Sequence, residues 1–294
     1  MSNAKKERGR IEMNIRICAD STCDLSPELV EKYNVGIIPL YIVKDGVSLA
    51  DGREISPQDI YDHVSGGGAM CSTAAVSVAD YEAFFAEQLK CCDALLHFHI
   101  SSEMSACYQN ACIAAENLPN VFPVDSRNLS TGIGQLVLTA AELAAEGKLS
   151  AKEIYDEVMA KREKLDVSFV LDTLDYLRKG GRCSTLAAMG ANLLSLKPCI
   201  EVRGGTMGVG KKYRGTLGKC IVQYVHDRLA DRDDIDLKRI FITDSTGFTA
   251  EEMDAMEAEV RRCQPFEEVL HTQAGCTISN HCGPRCIGIL YYHK

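Results

Sequence analysis

The sequence predicts an α/β protein built as two α/β domains with a ligand between them. Three observations carry that prediction. Short apolar runs bounded by turn residues alternate with helix-period stretches. Several of those stretches open on a hydroxyl residue, in two cases followed by proline. The chain has 294 residues, 46% of them hydrophobic, enough for two cores of ordinary domain size.

Residues 15–19 read as a strand running into the loop "DSTCDLS". Residues 25–33 then form a helix, with Ser26 as N-cap and Pro27 in its first turn. Residues 35–40 are a second strand, and "DGREISPQDIYDHV" repeats the device, Ser56 capping and Pro57 opening a helix. Further strands are expected at 94–100 and 121–124, with an Ala- and Leu-rich helix near 134–146. This alternation gives an N-terminal domain over 13–165, a mainly parallel sheet with helices on both faces. Ligands are expected beyond the carboxyl ends of its strands.

A second unit, 166–294, begins with strand, short helix and a Gly-Gly break in "VSFVLDTLDYLRKGGRCS". "KPCIEVRGGTMGVGKKYRG" reads as a hairpin turning at Gly204-Gly205. A helix at 216–229, a strand at 239–243, a helix at 250–262 and a strand at 286–292 complete a mixed sheet with helices. The first dozen polar residues read as a loose leader and are set apart from the fold.

Composition excludes several function classes. A net charge of −9 and a pI near 5.3 argue against nucleic-acid partners, which need a basic face. No run of eighteen apolar residues is present, so no transmembrane segment is expected. The fourteen cysteines include no CxxC and mostly fall within apolar patterns. Without a secretory signal, they read as reduced thiols of a cytoplasmic protein.

The segment "HISSEMSACYQNA" (99–111) places Ser101, Ser102 and Ser105 where a strand hands over to a helix. A hydrolase elbow needs GxSxG, but Ser102 is flanked by Ile100 and Met104. The alternatives are plain N-capping, or hydroxyls and free amides arranged to hold an anion. "CSTAAVSVADYEAFF" supplies Ser72, Thr73 and Ser77; Ser77 suits a cap, whereas Thr73 lies four residues upstream of it. "GTMGVGKK" nearly matches a phosphate loop, yet Lys212 stands where Ser or Thr must hold magnesium, and no helix follows. No GxGxxG occurs, so no nucleotide cofactor is expected. His97 and His99 share a strand face without an evident third ligand, and "HCGPRC" matches no zinc spacing, so no metal is expected. His281, before the fixed turn Gly283-Pro284, reads as a surface imidazole or as a positioned ligand contact. Arg182, after two glycines, reads as a surface ion-pair partner or a presented cation.

Taken together, "ADSTCDLSPELVEKYNVGIIPL", "DGREISPQDIY", "STAAVSVADYEAFF", "ISSEMSACYQNA", "VDSRNLSTGIGQLV", "LDTLDYLRKGGRCS" and "NHCGPRCIGI" resemble the DegV family in order and spacing. That family includes FakB-type fatty-acid-binding proteins, and the resemblance runs from about residue 15 onward. It implies a carrier, not an enzyme, with a long-chain fatty acid enclosed between two α/β domains. It further implies that Thr73 and Ser105 hold the carboxylate, with Ser102 as the second candidate for the serine's role. The family's histidine before GP falls on His281 and its GGR arginine on Arg182. Arg214, from "KKYRG", falls on the face offered to an ATP-dependent fatty acid kinase. The resulting acyl phosphate would enter phospholipid synthesis. The family's TSQPS is "TAAVS" in this chain and SGTY is "SACY", so the cradle keeps fewer polar groups. The competing reading is a serine hydrolase or acyl transferase using Ser105 and His281.

Overall fold

The structure is a computed structural model describing residues 13–183 and 196–294; the leader expected at the start of the chain lies outside them. Strands β1 (Ile15–Asp20), β2 (Gly36–Ile38), β6 (Ala94–His99) and β7 (Val121–Asp125) form a sheet ordered β2-β1-β6-β7. All three of its pairings are parallel. β6 is buried at every position, as a strand covered on both faces must be. Helices α1 (Pro27–Lys32), α3 (Val78–Gln88), α4 (Cys107–Ala114), α5 (Thr131–Ala145) and α6 (Ala151–Arg162) belong to the same half of the chain. Ser26 accepts from the Leu29 N–H, and Ser77 accepts from the Asp80 N–H.

A second sheet is ordered β10-β9-β8-β13-β11-β12. Its strands are β8 (Leu165–Leu171), β9 (Leu196–Arg203), β10 (Thr206–Arg214), β11 (Ile235–Asp244), β12 (Glu268–Gln273) and β13 (Cys286–His293). Only β11 and β12 run parallel. The β9–β10 hairpin turns on Gly204 (φ +57°) and Gly205 (φ +88°), both in the left-handed region that glycine enters without strain. α8 (Leu217–Leu229) and α9 (Ala250–Cys263) pack against one another beside this sheet.

α5 joins the two halves. It is buried on nearly every side, packing against β1 and β6 on one flank and β8 and β13 on the other. Gln135, inside it, donates its amide to the Leu290 (3.1 Å) and Arg239 (3.3 Å) carbonyls of the second sheet. A helix apolar all round needs such double cover. The main apolar core accordingly contains Leu136 and Val137 together with Phe169, Leu171 and Leu290.

The pattern of sequence runs leaves out α6 and β12, and a small sheet besides. A third, antiparallel sheet, β4-β3-β5, is made by β3 (Tyr41–Lys44), β4 (Val47–Ala50) and β5 (Ser72–Ala74). Thr73, four residues ahead of the helix cap Ser77, pairs with Ile42 in it. Beside this sheet stand α2 (Pro57–Ser65), with a full Ser56–Asp59 capping box, and α10 (Cys276–Cys282).

Ten of the fourteen cysteines are buried. Among the described residues no helix is long and apolar enough to cross a membrane.

Candidate functional site

The site is built on α10, a short helix whose two ends do different work. At its start, Asp51 Oδ1 accepts from the Cys276 N–H (2.8 Å). Asp51 Oδ2 accepts from the Thr277 N–H (3.0 Å) and hydroxyl (2.7 Å) and from the Ser21 hydroxyl (3.0 Å). Asp24 adds a bond from the Gly275 N–H (2.9 Å). Carboxylates at a helix N-terminus satisfy its orphan amides and oppose its dipole. Burial pushes the Asp24 carboxyl well above its usual range.

At the other end, Asn280 donates its amide to the Cys71 carbonyl (3.0 Å). This ties α10 to the chain just before β5 and brings His281 against Thr73. His281 Nε2 and Thr73 Oγ1 lie 3.0 Å apart. His281 Nδ1 is buried without a partner among the described residues. Gly180, at the end of α7 (Asp175–Gly180), packs on that nitrogen so closely that a Cβ there would clash with it. Burial, and then the nearby Arg182, push the His281 pKa down to about 4. The imidazole is therefore neutral at neutral pH, with one nitrogen able to donate and one to accept.

Ser105 enters from the first sheet's side, just ahead of α4. Its Oγ accepts from the Cys107 N–H (3.3 Å) and reaches the Cys107 thiol (3.2 Å). Thr73, Ser105, His281 and Arg182 all line one cavity of about 250 Å³. Its remaining walls are mostly apolar, among them Leu40, Ile100, Met104, Leu129, Met207 and Ile278. A narrow continuation of about 30 Å³ shares Leu129, Ile278 and Cys282 with it and runs toward Phe169 and Leu290. The cavity thus sets a few polar groups among mostly apolar walls, and both halves of the chain contribute to it.

Arg182 stands at the exposed side, its Nη1 donating to the Gly180 carbonyl (2.8 Å). Ser102 is not brought to the cavity. Its hydroxyl donates to Asp125 Oδ2 (2.7 Å) and its N–H to Asp125 Oδ1 (3.1 Å), holding it on the outer side of the turn. Arg214 lies exposed at the end of β10, away from the lining. Lys211 is ion-paired with Asp227 beside it. His97 and His99 lie outside the lining too: their rings are 4.4 Å apart among Tyr81, Phe84 and Phe85. Burial pushes the His99 pKa down to about 4. Asp51 and Asn280, which position α10, escaped the sequence reading. Their partners Cys276 and Cys71 lie 225 and 209 residues away, and no local pattern announces them.

The two α/β units share one core, and the cavity that both of them line sets hydroxyls and an imidazole among apolar side chains. The chain belongs to the DegV family, whose model, described as "Uncharacterised protein, DegV family", matches residues 14–294. A DegV domain-containing protein of Deinococcus radiodurans is 31% identical over 278 residues, spanning 94% of this chain and 98% of that one. Among solved structures, a DegV family protein from Thermus thermophilus, reported with its fatty acid binding, is 31% identical with a TM-score of 0.85. That match covers 96% of this chain and 100% of the Thermus chain. DegV from Bacillus subtilis, described as a fatty acid binding protein, is 26% identical with a TM-score of 0.83, covering 96% and 100%.

Proposed function

We propose that this protein binds a long-chain fatty acid in the cavity under α10 and carries it, without catalysis of its own, to an ATP-dependent fatty acid kinase. The observation that carries this reading is the make-up of the cavity: Thr73, Ser105 and His281 among otherwise mostly apolar side chains. The fatty acid binding reported for the Thermus relative supports the ligand class. Thr73 and Ser105 donate to the carboxylate, His281 Nε2 orients the Thr73 hydroxyl beside it, and Arg182 attracts it from the rim. A carboxylate taken out of water needs several donors. Burying an acyl chain contributes about 0.8 kcal/mol per methylene, on the order of 12 kcal/mol gross for some fifteen methylenes. Association costs of about 4–15 kcal/mol come off that figure. The chain thus supplies most of the affinity, and the hydroxyls, at roughly 1.5–3 kcal/mol each, supply orientation.

Geometry favours a carrier over a hydrolase. The imidazole engages Thr73, while Ser105 engages Cys107. A nucleophile–base pair would require Ser105 and His281 to be hydrogen-bonded to each other.

Native mass spectrometry of the purified protein, followed by organic extraction with no lipid added, tests the ligand. A stoichiometric long-chain fatty acid is expected. A protein that is empty and also fails to take up added fatty acid overturns the reading. For the kinase, Arg214 supplies an exposed cation on an otherwise acidic protein. The carrier works in the cytoplasm, where its free thiols stay reduced. Arg214→Ala should lower acyl-phosphate production while sparing lipid binding; undiminished production removes Arg214 from the docking face.

A further inference from the structure

On the far side of the second sheet, α8 and α9 bring three metal-ligating side chains together at the surface. Glu259 and Cys263, four residues apart on α9, share one face of that helix. His226, in the last turns of α8, faces them. His226 Nδ1 lies 3.1 Å from Glu259 Oε1, Cys263 Sγ lies 3.3 Å from the same oxygen, and the sulfur and nitrogen are 4.0 Å apart.

Those separations can be set against coordination geometry. With metal–nitrogen and metal–oxygen bonds of about 2.0 Å and a metal–sulfur bond of about 2.3 Å, a tetrahedral ion places N and O about 3.3 Å apart. It places sulfur about 3.5 Å from each of them. The three atoms therefore already outline one face of such a tetrahedron, needing only a few tenths of an ångström from the sulfur. A cation already sits against them: Arg262 Nη2 lies 2.5 Å from Glu259 Oε1, 2.9 Å from His226 Nδ1 and 3.9 Å from Cys263 Sγ. That side chain is 61% exposed, free to swing into water, whereas Glu259 is only 10% exposed.

We propose that His226, Glu259 and Cys263 form a site for one divalent cation of the zinc class, with Arg262 as its internal competitor. Borderline-soft ions suit this imidazole, carboxylate and thiolate set, with water in the fourth position. A surface depression lined by Gly218, Val222 and Gln223 opens beside the triad and admits the hydrated ion. On coordination the Cys263 thiol gives its proton to water and the Arg262 guanidinium withdraws. Burial and the Glu259 charge hold that thiol up near 11 in the metal-free protein, so the ion does the deprotonating. The bound ion would clip α8 to α9, remote from the lipid cavity.

Titrating chelator-treated, full-length protein with Co²⁺, and competing with Zn²⁺, tests this. One equivalent of Co²⁺ should give a thiolate-to-metal charge-transfer band. Cys263→Ser should abolish the band, and His226→Gln should weaken binding by more than about tenfold. Arg262→Ala should tighten binding several-fold, which nonspecific surface binding would not do. Far-UV circular dichroism checks the fold of each variant. A band that persists in Cys263→Ser, placing the metal on another thiol such as exposed Cys91, overturns the proposal. So does the lack of any such band, or weaker binding in Arg262→Ala.

Discussion

Thr73 and His281 stand 208 positions apart in the chain, yet Thr73 Oγ1 and His281 Nε2 lie within 3.0 Å. One comes from a strand of three residues and the other from a helix of seven, so neither owes its position to its own element. The contact is held by Asn280 reaching the Cys71 carbonyl and by Asp51 anchoring the opposite end of α10.

Removing the hydroxyl donors tests the cradle. Thr73→Val combined with Ser105→Ala deletes two hydrogen bonds to a charged group, each worth roughly 1.5–3 kcal/mol. Fatty-acid affinity, measured by calorimetry, should fall about a hundredfold or more. Thr73→Ser, which keeps a hydroxyl, should stay near the native value. Unchanged affinity in the double variant would sink the assigned roles.

Gly180→Ala separates the ligand site from stability. Within a helix, alanine is normally favoured over glycine by roughly 1 kcal/mol. Here the new methyl meets His281 Nδ1. The expected outcome is a displaced imidazole and weakened lipid binding, with little loss in melting temperature. If binding is as tight as in the native protein, the imidazole is not a ligand contact.

Asp51→Asn addresses the anchor. Both Asp51 oxygens accept hydrogen bonds, and an amide in its place turns a donor toward at least one donor of α10 or its neighbours. Urea denaturation should show a loss of about 2–4 kcal/mol. A loss near zero would mean that α10 is held by packing alone.

Binding should also take up a proton. In the free protein the His281 pKa is about 4, so the ring is neutral at neutral pH. A carboxylate brought beside it favours the charged ring and raises that pKa. Between the free and bound values the complex holds more protons than its parts, so affinity falls as pH rises through the bound value. Calorimetry in buffers of different ionisation enthalpy reads this uptake directly. It should vanish in His281→Gln; uptake that persists there belongs to the fatty-acid carboxyl instead.

The sequence made much of this fold legible where local chemistry decides it. Ser26-Pro27, Ser56-Pro57 and Ser77 announce helix starts, and each caps its helix as expected. Gly204-Gly205 announces its hairpin in the same way. The β3–β4 hairpin carried an equally strong signal, Asp45-Gly46 between Lys44 and Val47, with both turn residues at positive φ. It went unread because the strands it joins are short and half exposed. β5 has three residues, too few to establish any period. Within the site, the family resemblance pointed to Thr73, Ser105, His281 and Arg182, all of which line one cavity. Ser102, the second candidate in the same segment, does not line it. Asp125, 23 residues on, takes its hydroxyl instead, a long-range competitor that no local motif reveals.

The place of β13 in the second sheet has a consequence for biosynthesis. It is translated after every other strand of that sheet, yet lies at the centre, between β8 and β11. Until residues 286–293 leave the ribosome, those two neighbours keep unpaired edges, a template for mispairing. The narrow continuation of the cavity lacks Cys286, Gly288 and Leu290 over the same interval. A ribosome-stalled chain ending before β13 is therefore expected to retain no lipid after gel filtration, while release of the longer chain restores loading. On the reading proposed above, the cavity is complete for its ligand only once β13 has paired.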